Sequence, residues 1–217
     1  MKHRDQTPAE EIANAITHGT GVLFTLIAMP FLIYSAVQHD TIRAVWAVSV
    51  YGAGMFMVYL SSTLYHAIRR PSAKRALRVW DHISIFLLIG GTYTAVVQKY
   101  TSQHTAVIFL SIMWGIIAAG SILKLFFTGR FKAIELGLYL GLGWMAIFII
   151  KPLHANLPTN IFWWLLAGGL FYTSGVIFYT WKKLKYHHAI WHCFVLGGTV
   201  MHFIAVYQGT TLRIAAP

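Results

Sequence analysis

Seven stretches of the chain are apolar over roughly the 20 residues that a membrane-spanning helix needs. They run approximately over 16–38, 44–66, 79–98, 105–127, 133–151, 160–181 and 187–207. Polar or helix-breaking runs separate them: Gln38-His39-Asp40, Arg69-Arg70-Pro71, Thr101-Ser102-Gln103-His104, Gly129-Arg130, Asn156-Leu157-Pro158 and Lys182-Lys183-Leu184-Lys185. The stretches are continuously apolar, without the alternation over about ten residues that marks a β-barrel strand. The pattern predicts an all-α integral membrane protein. It is a seven-transmembrane helix bundle forming a single domain, 1–217, with short loops. No small-residue cleavage site follows a short apolar core near the amino end, so insertion is expected to begin with the first span.

Composition agrees with this reading. Of the 217 residues, 57% are hydrophobic and only 11% charged, against about a quarter charged in soluble domains. That is too little polar surface for a soluble enzyme of this size or for a disordered chain. The net charge of +11 reads as membrane topology and attraction to anionic lipid, not as binding to nucleic acid. Alternating the loops between two sides gathers thirteen of the seventeen Lys and Arg on one side: Lys2, Arg4, Arg69, Arg70, Lys74, Arg75, Arg78, Lys124, Arg130, Lys132, Lys182, Lys183 and Lys185. Arg43, Lys99, Lys151 and Arg213 fall on the other. The bias predicts a cytoplasmic N-terminus and an outside C-terminus, in a multi-pass protein of the cell (inner or plasma) membrane. The single cysteine, Cys193, excludes an internal disulfide framework and a Cys-rich zinc site.

Ionisable groups inside the spans carry the chemistry, because hydrocarbon penalises them. His188 and His192 stand at i and i+4, on one helix face, with the spacing of a shared metal ion. Ser62 and His66 repeat that geometry in the second span, and Asp81 opens the third. Taken alone, each has an ordinary reading: an incidental pair, a polar helix end, a first-turn acid. The predicted topology brings them together, since the second span ends and the third and seventh begin on the same side. Three histidines with an open fourth position suit catalytic zinc, which activates water near neutral pH. Asp81 could then accept a proton and Ser62 could donate to a developing oxyanion.

Glu11, Asn14 and His18 repeat at helical spacing and suit either a supporting shell and gate or a capped, partly wet helix start. His202 lies ten residues beyond His192, about 15 Å deeper, and is read as a buried hydrogen-bonding residue. His82 and His187 point about 100° from Asp81 and His188 and share neither face. Lys124 is expected to snorkel toward the headgroups.

The ordered set Glu11-Ile-Ala-Asn14-x-x-x-His18-Gly19, Ser62-Thr-Leu-Tyr-His66, Trp80-Asp81-His82, Gly91-Thr-Tyr-Thr94, His188-Ala-Ile-Trp-His192 and Met201-His202-Phe203 resembles the hemolysin III family. That family is the bacterial branch of the progestin and adipoQ receptor superfamily. The resemblance covers nearly the whole chain. It implies zinc on His66, His188 and His192, with Asp81 and Ser62 beside zinc-bound water. The alkaline ceramidases share this ligand layout and hydrolyse a lipid amide. The resemblance therefore implies a zinc-dependent intramembrane hydrolase of lipid amide or ester bonds, linked to membrane lipid homeostasis, with membrane lipid as substrate or ligand. A receptor-like sensor with structural zinc and a cytolytic, hemolytic pore former are the alternatives.

Overall fold

The computed structural model describes residues 6–128 and 130–212. Gly129 and the charges on Lys2, Arg4 and Arg213, used above, lie outside the described residues. The chain forms α1 (Pro8–His39), α2 (Ile42–Ala67), α3 (Pro71–Tyr100), α4 (Gln103–Phe127) and α5 (Lys132–Gly143). A 3-10 segment (Met145–Ile149) leads into α6 (Ile150–Asn156), followed by α7 (Thr159–Thr180) and α8 (His187–Thr211). The 3-10 segment joins α5 and α6 into one stretch, so among the described residues seven helices are long and apolar enough to cross a membrane. The described residues contain no strand.

Two helices begin well before the apolar stretches they contain. α1 starts at Pro8 behind a capping box, in which Thr7 Oγ1 accepts from the Glu10 N–H and the Glu10 carboxylate accepts from the Thr7 N–H. α3 starts with Pro71 at its first position, where a proline's missing N–H has no intrahelical partner to lose. Asp81 therefore sits nearly three turns inside α3. It is not a first-turn acid.

The fifth span is broken after Gly143. Tyr93, on α3, repairs the break: its hydroxyl donates to the Gly143 carbonyl at 2.7 Å and accepts from the Ala146 N–H at 2.9 Å. Backbone groups freed inside a bilayer need such a partner, because no water reaches them.

α2 packs most extensively on α3, α7 on α8, and α1 on both α2 and α8. Tyr51, Met55 and Tyr59 of α2 meet Leu32 and Ala36 of α1 in one core. Phe86 and Val97 of α3 meet Met113 and Ile117 of α4 in another. Close approach of α2 and α3 requires Gly54 and Gly91, each of which faces backbone of the other helix. Internal hydroxyls pair across helices, as where Tyr59 donates to Thr199 Oγ1 at 2.7 Å. α1, α3, α5 and α8 begin at one end of the bundle, and α2, α4 and α7 finish there.

Candidate metal centre

That shared end holds the three histidines. His66 comes from the last turn of α2, His188 and His192 from the first turns of α8. One ring nitrogen from each lies within 4.8 Å of the others, and the ring centroids are 5.1, 5.2 and 4.5 Å apart. Nitrogens on one tetrahedral zinc, each at about 2.0–2.1 Å, stand about 3.4 Å from one another. Small rotations of the rings close the difference.

Hydrogen bonding selects which nitrogen faces inward. His66 Nδ1 meets the Glu11 carboxylate at 2.7 Å, and Glu11 is held from its other oxygen by Lys74 at 3.0 Å. His192 Nδ1 meets the Asn14 carbonyl and Thr17 Oγ1, each at 3.2 Å. With Nδ1–H donated to these acceptors, Nε2 carries the lone pair. The Nε2 atoms of both His66 and His192 are buried without a hydrogen-bond partner among the described residues. Buried polar atoms are almost always paired, so these two lone pairs are what a metal ion would satisfy. The donor set fits zinc.

α1 thus supplies the polar backing for rings on α2 and α8. Glu10, 2% exposed, also accepts from the Tyr186 N–H at 3.0 Å. Tyr186 has φ 58°, the one positive φ of a non-glycine residue among the described residues. That conformation costs about 1–2 kcal/mol in an L-residue, and the Glu10 bond holds it where α8 must start. His18, fully buried in α1, stacks on His192 with centroids 3.4 Å apart and planes 18° from parallel. α1 begins eight residues before the apolar stretch, so Asn14 and His18 are buried in it while Glu11 stays partly exposed.

Asp81 lines the same end but stands outside the three-nitrogen group. The buried Ser62 Oγ lies beside the Asp81 carboxyl, within reach to donate to it. His82 does reach its neighbour, contrary to the angular expectation: its Nδ1 is 3.6 Å from Asp81 Oδ2 and 2.7 Å from the Arg78 carbonyl. Its Nε2 is 3.4 Å from Glu135. Glu135 forms an ion pair with Lys124, and both are buried. Lys124 therefore does not snorkel, because a carboxylate on the neighbouring span offers a nearer partner than the headgroups do. The signal in sequence was one acid and one base in adjacent apolar stretches. Thr17 and Tyr139, whose hydroxyl donates to the His82 carbonyl at 2.8 Å and stands 3.2 Å from Glu135, carried no such signal. His202 is held by the Leu165 carbonyl at 3.0 Å, away from the cluster.

Two cavities meet at this site. A polar vestibule of about 350 Å³ is lined by Glu11, His66, Arg78, Asp81, Glu135 and His188 among others. A mostly apolar cavity of about 150 Å³ runs past His18, Val58, Leu88, Tyr172 and Val195. Asp81, Ile85, Leu136, Tyr139 and Trp191 line both. A further cavity, about 960 Å³, lies at the other end against Arg43, Lys99 and Gly209, and takes in none of the three histidines.

The chain matches the family described as Haemolysin-III related over residues 6–203. It is 44% identical to the Hemolysin-3 of Bacillus cereus over 206 residues, which cover 95% of the chain and 94% of that relative. It is 42% identical to the Hemolysin-3 homolog of Bacillus subtilis (strain 168), over 92% of the chain and 94% of that relative. The monocyte to macrophage differentiation factor of Homo sapiens is 24% identical, over 92% of the chain and 84% of that protein. No solved structure gives a significant match.

Proposed function

Because the chain belongs to the Haemolysin-III related family, we propose that this multi-pass membrane protein is a zinc-dependent intramembrane hydrolase acting on a lipid amide or ester bond. His66, His188 and His192 hold the metal. One observation carries the reading: the His66 and His192 Nε2 atoms are buried without a hydrogen-bond partner among the described residues, in a three-histidine group whose His66 and His188 line, with Asp81, a polar vestibule that meets an apolar cavity. Zinc bound there supplies Lewis acidity and activated water. Glu11, Asn14 and Thr17 fix the planes of His66 and His192, and His18 blocks movement of His192 from the other side. Asp81 accepts a proton at its carboxylate. The Ser62 hydroxyl, beside the Asp81 carboxyl, donates to the charge that develops on a carbonyl oxygen. The apolar cavity takes an acyl chain. The excess of Lys and Arg at the histidine end supports a cytoplasmic N-terminus and a C-terminus outside the cell membrane. The site then opens toward the cytoplasm, within a single domain.

Elemental analysis of purified protein tests the metal. Wild type is expected to carry stoichiometric zinc and His192→Ala to lose it; equal zinc in both rejects the ligation. Lipidomic comparison of wild type with Asp81→Ala tests the reaction. The variant is expected to keep zinc and lose product. A wild type that carries zinc and releases no fatty acid is a sensor instead.

A further inference from the structure

The vestibule's charges balance unequally. Each of its three carboxylates already faces a cationic or imidazole partner: Glu11 has Lys74 and His66, Glu135 has Lys124 and His82, and Asp81 has His82. Arg78 lines the same space, half-buried, and its guanidinium has no ion pair or hydrogen bond among the described residues. Two phenols line the vestibule with it, Tyr65 from α2 and Tyr179 from α7. Both lie within electrostatic range of Arg78. Each already carries a second cation over its ring, Lys74 at 4.8 Å and Lys182 at 4.2 Å. The Arg78 backbone is fixed, since its carbonyl accepts from His82 Nδ1. Arg78 thus lines the vestibule of about 350 Å³ from a fixed turn of α3, with the Tyr65 and Tyr179 phenols on the same wall.

We propose that this corner of the vestibule binds a phosphate or equivalent anion on the polar end of an amphiphile, with Arg78 as the recognising residue. The inference deepens the hydrolase reading and rests on it for the placement of the scissile bond. The apolar cavity lies past Asp81 on the far side of the shared wall. A molecule lying across that wall has its anionic end at Arg78, its tail in the apolar cavity and the bond between them beside Asp81. A planar guanidinium presents two parallel N–H donors to two phosphate oxygens, which an ammonium cannot do. A neutral head finds no such partner here.

Binding separates this inference from the reaction. Purified full-length chain in neutral detergent is titrated with fluorescently labelled lysophosphatidate and with the uncharged monoacylglycerol of the same chain length. Wild type is expected to prefer the phosphate-bearing probe by about tenfold or more, the worth of one charge-assisted contact. Arg78→Gln is expected to erase that preference and to leave monoacylglycerol affinity unchanged. Arg78→Lys should retain part of the preference, and it serves as the variant of record if the glutamine substitution fails to fold. Inorganic phosphate at millimolar concentration is the third probe. Competition assigns the corner to phosphate itself, and its absence assigns it to a headgroup anchored by a tail. A wild type indifferent to charge, or an Arg78 variant with undiminished preference, overturns the proposal. Zinc content is measured on the same preparations. A zinc-free chain that still selects the anion sinks the hydrolase reading alone; a zinc-loaded chain without selection sinks only this site.

Discussion

Replacing Gly54 with alanine tests how tightly α2, which carries His66, is bound to α3, which carries Asp81. A Cβ at Gly54 would stand 2.5 Å from the Leu87 carbonyl oxygen and 2.8 Å from its carbon. Non-bonded heavy atoms sit comfortably at about 3.5–4.0 Å, so α2 and α3 must part by about 1 Å. The obstructing atoms are backbone, which no rotamer change can move. Overpacking of this kind costs about 1–3 kcal/mol, and the rigid obstacle puts Gly54→Ala at about 2–3 kcal/mol. Gly91 faces the Tyr51 Cα at 2.8 Å from the other side of the same seam. One separation relieves both, so the double alanine variant should cost less than the two singles summed. Unfolding in detergent, followed by helical circular dichroism, reads the loss. Gly115→Ala is the control: no atom lies within 4 Å of its Cβ position, and alanine's better helix propensity should leave stability unchanged or raised by up to about 1 kcal/mol. A Gly54→Ala protein as stable as the Gly115→Ala protein would refute the packing argument. The same parting displaces His66 from α8, so Gly54→Ala should also weaken zinc retention.

Three further outcomes follow from side chains described above. Lys124→Met leaves the buried Glu135 carboxylate with only His82 and Tyr139 beside it and should cost up to about 3–5 kcal/mol, most of it recovered in Lys124→Met/Glu135→Leu, as unfolding titrations of the pair will read. Glu11→Gln weakens the acceptor behind His66 Nδ1; zinc affinity, measured by chelator competition, should fall about 10- to 100-fold without removing a ligand. Tyr93→Phe deprives the Gly143 carbonyl and the Ala146 N–H of their partner, and should cost about 1–3 kcal/mol by the same unfolding assay.

Hydropathy made the seven spans legible because a bilayer imposes one length on every helix that crosses it. It could not show where the helices start beyond the apolar part. Thr7-Pro8-Ala9-Glu10 is a capping signal, yet it precedes a polar turn that no hydropathy window scores. That omission left His18 open between a supporting shell and a wet helix start, when it is buried and stacks on His192. The three histidines were readable because helix spacing and topology fix their level together. Their tautomers were not, since Asn14 contributes its backbone carbonyl, a group every residue possesses. The break at Gly143 was hidden because its repair comes from Tyr93, fifty residues away in the chain. The Lys124–Glu135 pair shows the limit of judging charges singly: each alone reads as a surface-seeking group, and only their proximity makes burial tolerable.

The first helix contributes no nitrogen to the cluster, yet it stands behind two of its three imidazoles. How long an ion bound there would reside is accordingly set, on the proposed ligation, by an element it would never meet. Loosening the amino-terminal segment, by whatever tugs on it, would let the rings swing and the captive leave, with every coordinating atom still intact.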